Sequence, residues 1–158
     1  MKQNKAYEIT QSLIQLLRQH SSKGITTKQI SQVLNVNRRR LYDSLIVMEE
    51  IGLVHRCSKV YKINSDFIYP LVTQYTLTGK ILQLIMLQES KPKEIIDYLG
   101  NKDSRRIYEI LGILQSLQIL TKTLYNQFQY NQKYSYYDEE VIQSLVSLSF
   151  EKAQDMFS

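Results

Sequence analysis

Arg39-Arg40-Leu41-Tyr42-Asp43 and Arg105-Arg106-Ile107-Tyr108-Glu109 are one motif written twice, 66 residues apart. The likeness spreads outward from it. At the same offset Leu45 meets Leu111, Val47 meets Ile113, Met48 meets Leu114, Ile51 meets Leu117, Leu53 meets Ile119 and Val54 meets Leu120. Upstream, Ile30 meets Ile96 and Val33 meets Leu99. A repeat of this length with matched apolar positions predicts two copies of one small fold. The expected division is 1–66 and 67–158, with the boundary around Pro70.

Within the first copy, Ile9, Leu13, Leu16 and Leu17 recur at helical spacing, which predicts an amphipathic helix from residue 6 to about 20. Ser21-Ser22-Lys23-Gly24 ends it. Thr26 or Thr27 caps a second helix carrying Ile30, Val33 and Leu34, and Asn35-Val36-Asn37 leads into a third. That third helix is expected to bury Leu41, Leu45 and Met48 and to stop at Gly52. Val54 to Ser58 and Lys59 to Ile63 then read as a hairpin. Three helices and a hairpin make a winged helix.

The second copy repeats the order, with Leu82, Ile85 and Met86 on its first helix and Pro92 opening its second. Ile95, Ile96 and Leu99 line that second helix, and Asp103 or Ser104 caps the third. Residues 119–137 alternate polar and apolar and hold Tyr125, Tyr130, Tyr134, Tyr136 and Tyr137, predicting a longer, aromatic wing. A last helix is expected from Asp138, with Asp138, Glu139 and Glu140 favoured at its N-terminal dipole. The fold class is therefore mainly α with small β-hairpins: tandem winged helix-turn-helix domains plus a C-terminal helix.

Charge is unevenly shared between the copies. Residues 1–66 hold eleven Lys or Arg against five acids, a net of +6, whereas residues 67–158 hold nine against ten, a net of −1. A nucleic-acid footprint is thus expected mainly on the first half. The polar N-terminus suggests no secretory signal, and no apolar run reaches a membrane span, so an intracellular home with no membrane partner is expected. Cys57 has no second thiol, and His20 and His55 lie far apart. Neither a metal site nor a nucleophile-base pair is visible, and no catalytic residue or cofactor is expected.

On the third helix Arg39 and Asp43 stand opposite the buried face, as i,i+4 neighbours, so the carboxylate is expected to steady the guanidinium. Arg105 and Glu109 repeat the arrangement. An Arg held at the start of a recognition helix suits guanine O6 and N7 in the major groove, and Tyr42 and Tyr108 on the flank suit a phosphate. Arg56, Lys59 and Lys62 on the first hairpin either touch phosphates or stand as solvated charges. The tyrosines of the second wing serve either hairpin packing or base stacking.

These residues resemble the E2 factor/DP family of winged-helix transcription factors. The likeness rests on Asn37-Arg38-Arg39-Arg40-Leu41-Tyr42-Asp43-Ser44-Leu45 and on Val47-Met48-Glu49-Glu50-Ile51-Gly52-Leu53-Val54 after it. The resemblance implies double-stranded DNA as partner, a nuclear location, and Arg39 and Arg40 as guanine readers. By the same carry-over Arg105 and Arg106 would read a second half-site, as in atypical members with both domains in one chain. The family's Asn three residues after the motif acid is Ile46 here and Gly112 in the second copy, and Glu109 replaces Asp. An alternative function is a non-catalytic subunit whose second, near-neutral domain docks a partner protein.

Overall fold

The computed structural model describes residues 5–100 and 103–134. The expected C-terminal helix, with Tyr136 and Tyr137, lies outside them. The first unit runs α1 (Lys5–Gln19), β1 (Ile25–Thr26), α2 (Thr27–Leu34), α3 (Arg38–Glu50), β2 (Val54–Cys57) and β3 (Val60–Ile63). The second runs α4 (Leu77–Leu87), α5 (Pro92–Tyr98), α6 (Ser104–Ser116), β4 (Leu120–Lys122) and β5 (Phe128–Tyr130). A single 3-10 turn, Gln132–Tyr134, follows. Two winged-helix domains in tandem result.

Local chemistry sets the helix ends. Thr26 opens α2 with a reciprocal cap, its Oγ1 accepting from the Gln29 N–H at 3.2 Å while Gln29 Oε1 accepts from the Thr26 N–H at 3.0 Å. Asn35, in the left-handed region at φ 52°, turns the chain out of α2. Asn37 Oδ1 then accepts from the Arg39 N–H at 2.8 Å and starts α3. Gly52 at φ 80° ends that helix and lets the Leu53 N–H reach the Met48 carbonyl at 2.9 Å. In the second unit the Lys91 N–H donates to Glu94 Oε1 at 3.0 Å ahead of Pro92, and α6 has the same thirteen residues as α3.

The repeat reaches further than the apolar pattern shows. Asn64 donates from Nδ2 to the Gly52 carbonyl at 2.7 Å, and its N–H donates to the Leu53 carbonyl at 2.8 Å. Asn131 does the same to Gln118 and Ile119, at 2.6 and 2.9 Å. Each asparagine latches the end of its wing to the end of its recognition helix. The edge strand differs: β1 pairs with β3, whereas in the second unit only Ser90 bridges to Phe128.

Leu41, Leu45 and Met48 are fully buried, and Ile107, Leu111 and Leu114 occupy the matching places on α6. These residues belong to one continuous core. Helix α1 explains the continuity, because it packs on both α3 and α6 and buries Ala6, Ile9, Thr10, Leu13, Ile14, Leu16 and Leu17. Ser116 Oγ donates to the Tyr7 carbonyl at 2.9 Å across that contact. The connecting segment is packed as well. Pro70 is buried, Phe67 and Val72 lean on the core, and the Leu71 N–H donates to the Ile51 carbonyl at 2.9 Å.

Two expectations need correction. Val33 is 63% exposed, because α2 has only two turns and reaches the fully buried layer through Ile30 alone. Among the described residues the second wing has strands of three residues in place of one alternating run, between them residues 123–127 form a turn, and Gln132–Tyr134 is a 3-10 turn. Its tyrosines divide: Tyr130 is buried, Tyr134 stacks at a tilt on Phe67 with centroids 6.1 Å apart, and Tyr125 is exposed.

Candidate nucleic-acid interface

Helices α3 and α6 meet near their N-terminal ends, and the motif residues make the contact. Arg40 Nη1 lies 3.7 Å from Glu109 Oε1. Arg106 Nη1 lies 3.7 Å from Asp43 Oδ1, and Arg106 Nη2 donates to the Asp43 carbonyl at 3.4 Å. Arg40 and Arg106 hold the same place in the repeat, as do Asp43 and Glu109. The two ion pairs are therefore one interaction made twice, across an approximate two-fold relation between the units.

This arrangement revises the expected pairing within α3. Asp43 faces Arg106, and among the described residues Arg39 makes no ion pair. The physical reason is a second acceptor: Arg106, with 27% of its side chain exposed, reaches both the carboxylate and the main-chain carbonyl of Asp43, whereas Arg39 is left exposed to water. In the second unit the expected i,i+4 pair does form, with Arg105 Nε 3.5 Å from Glu109 Oε1. Glu109 thus gathers Arg40, Arg105 and Arg106, the last at 3.4 Å.

Around the crossing, Asn37, Arg39, Arg40, Asp43, Asp103, Arg105, Arg106 and Glu109 line one shallow concavity. Its floor is neutralised by the reciprocal pairs. Its rim carries Arg39 and Arg105, equivalent residues of the two helices, both exposed. Of the four motif arginines, Arg40 and Arg106 bridge the two helices, while Arg39 and Arg105 are exposed, Arg105 pairing within its own helix.

A second depression belongs to the first unit alone. Thr26, Thr27, Lys28, Arg38, Tyr42, Arg56, Ser58, Lys59 and Tyr61 line it, with four cations and no carboxylate among them. Tyr42 is 38% exposed there, at the flank position expected from the helix wheel. The structure thus collects Arg38, Tyr42, Arg56 and Lys59 into one basic groove between recognition helix and wing. Lys62 lies outside it, half-buried with its stem beside Gly24. Lys28 was not anticipated; the signal available was a basic residue one step after the Thr26-Thr27 cap. At the offset of 66 the corresponding positions of the second unit are Glu94, Ser104, Tyr108, Lys122 and Tyr125, so three of the four cations are gone and one of them is replaced by an acid.

No group of three or more His, Cys, Asp or Glu side chains is placed to hold a metal among the described residues. No described helix is long and apolar enough to cross a membrane.

Two recognition helices set side by side, each flanked by a wing and each presenting an arginine, define a tandem winged-helix DNA-binding protein. The model of the E2-F/DP family winged-helix DNA-binding domain matches the chain twice, at residues 7–64 and 75–132, well over half its length, and the chain belongs to that family. Such domains bind double-stranded DNA, are non-catalytic and give the chain a transcription-factor-like role. No curated protein and no solved structure matches it significantly.

Proposed function

We propose that this chain is a nuclear transcription regulator that docks both recognition helices on one duplex, the unit of 1–66 on one half-site and that of 67–158 on the other. The reciprocal Arg40–Glu109 and Arg106–Asp43 pairs carry the reading, because they hold the two helix starts together with Arg39 and Arg105 facing outward. In this reading Arg39 and Arg105 each read a guanine, while Arg40 and Arg106 position the helices. Arg38, Arg56, Lys59 and Lys28 grip phosphates beside the first half-site, with Tyr42 donating to another. Lys62 contributes only to the general field. Tyr108, 49% exposed, holds the place of Tyr42 at the second half-site.

The test begins with selection from random duplexes, followed by Arg39→Ala and Arg105→Ala. Each change is expected to cost about 1–3 kcal/mol of discrimination at one base pair, without lowering thermal stability. If the double variant binds the selected duplex as the parent does, the proposal fails. The alternative of a second unit devoted to a partner protein predicts a loss with Arg39→Ala and none with Arg105→Ala.

A further inference from the structure

The tip of the second wing differs in kind from that of the first. Leu124 is fully exposed and Tyr125 is 78% exposed, adjacent in sequence. The first wing carries Ser58 and Lys59 at its tip, and both line the basic groove beside α3. An exposed Leu-Tyr pair gains nothing from folding, so its stability contribution does not explain it.

The tip is also rigidly presented. Its turn is closed by the Thr123 N–H to Gln127 carbonyl bond at 2.8 Å and the Asn126 N–H to Thr123 carbonyl bond at 3.2 Å. Phe128, buried directly after it, is bonded both ways to Ser90, at 2.8 and 3.2 Å. Lys122, in the place of Arg56 and 5.6 Å above the Phe128 ring, keeps one cation at the base of the wing. The second wing thus has a cationic base and an apolar, aromatic end.

We infer that Leu124 and Tyr125 form a nucleobase probe that enters the minor groove flanking the α6 half-site and partly unstacks a base step there. This rests on the DNA-docking reading above. Three observations select DNA as the occupant. The tip holds the place in the repeat of Ser58 and Lys59, it replaces a lysine that lines the groove beside α3, and Lys122 at the base of the same wing complements a phosphate. Apolar wedges act in this way on minor grooves, and an aromatic ring stacks on any base without sequence preference. The two wings then make different contacts: one grips the backbone, the other distorts the duplex.

The experiment uses the full chain and a selected duplex with 2-aminopurine scanned across the outer flank of the α6 half-site. The parent is expected to raise the fluorescence of the probe at one step. Leu124→Ser with Tyr125→Ser should abolish that rise and weaken binding about tenfold, within the range for losing one base–aromatic stack, with an unchanged salt slope. Leu124→Ser with Tyr125→Lys, which copies the first wing's tip, should steepen the slope by about 0.9 without restoring the fluorescence. Both tips are solvent-exposed, so the variants should melt like the parent. A parent that binds no duplex overturns this inference together with the proposed function. A parent that binds, beside a Ser-Ser variant equal to it in affinity and fluorescence, overturns the inference alone. So does a Ser-Ser variant that keeps its DNA affinity and loses a stoichiometric protein partner instead.

Discussion

Replacing Arg106 by Ala removes the most connected side chain of the contact between α3 and α6. Its guanidinium lies 3.7 Å from Asp43 Oδ1, 3.4 Å from Glu109 Oε2 and 3.4 Å from the Asp43 carbonyl oxygen. These separations exceed the ~2.7–2.9 Å of a strong charge-assisted hydrogen bond. With 27% of the arginine and 31% of the aspartate side chain exposed, the pair sits toward the surface end of the energetic scale. Arg106→Ala should therefore cost about 1–2 kcal/mol, of which about 0.5–1 kcal/mol is coupling to Asp43. For a chain of this size each kcal/mol lowers Tm by roughly 2–4 °C. The assay is urea unfolding of the parent, Arg106→Ala, Asp43→Ala and the double variant, read at constant m. The equivalent cycle on Arg40 and Glu109 should give less, since Arg40 has a single contact at 3.7 Å and is 36% exposed. Raising the salt should shrink both couplings. A coupling of zero between Arg106 and Asp43, or a larger one for Arg40 and Glu109, would refute the reasoning.

Gly79→Ala should cost more than about 3 kcal/mol, because a Cβ there falls on the backbone carbonyl of Thr73, which cannot swing aside as a side chain would; chemical denaturation of the variant checks this. Asn64→Ala should destabilise by about 1–2 kcal/mol, and Asn131→Ala by less than ~1 kcal/mol, since the first latch is half-buried and the second exposed. Equal losses in paired melts would contradict that order. A fragment of residues 1–66 should self-associate in sedimentation runs, because it uncovers the face of α1 that packs on α6. A monomeric fragment with a cooperative melt would show that α1 needs only its own unit.

The repeat, the helix order and the buried Leu41, Leu45 and Met48 were legible in the sequence, because caps and apolar spacing are local signals. So was the position of Tyr42 on the flank of α3. The destination of the motif acids was not. Asp43 has an arginine four residues before it, and nothing local says that a guanidinium from position 106 will reach both its carboxylate and its main-chain carbonyl. The double-sided burial of α1 has the same origin: its wide apolar stripe, from Ala6 to Leu17, fits one packing surface or two. Asn64 and Asn131 escaped notice because a single residue carries no period. The tip of the second wing was read only as part of a tyrosine cluster, and burial alone separates Tyr125 from Tyr130.

The ordered segment from 67 to 76 has a consequence for how the protein answers to its own abundance. When two readers must find each other by diffusion, their shared site fills with the product of two concentrations. Here the second reader is delivered by a strap pinned through Pro70 and Leu71, and dilution leaves its effective concentration beside the first unchanged. In the proposed docking, with one chain filling both half-sites, occupancy follows the supply of one gene product to the first power, and halving the gene dose halves the occupancy when the site is mostly empty.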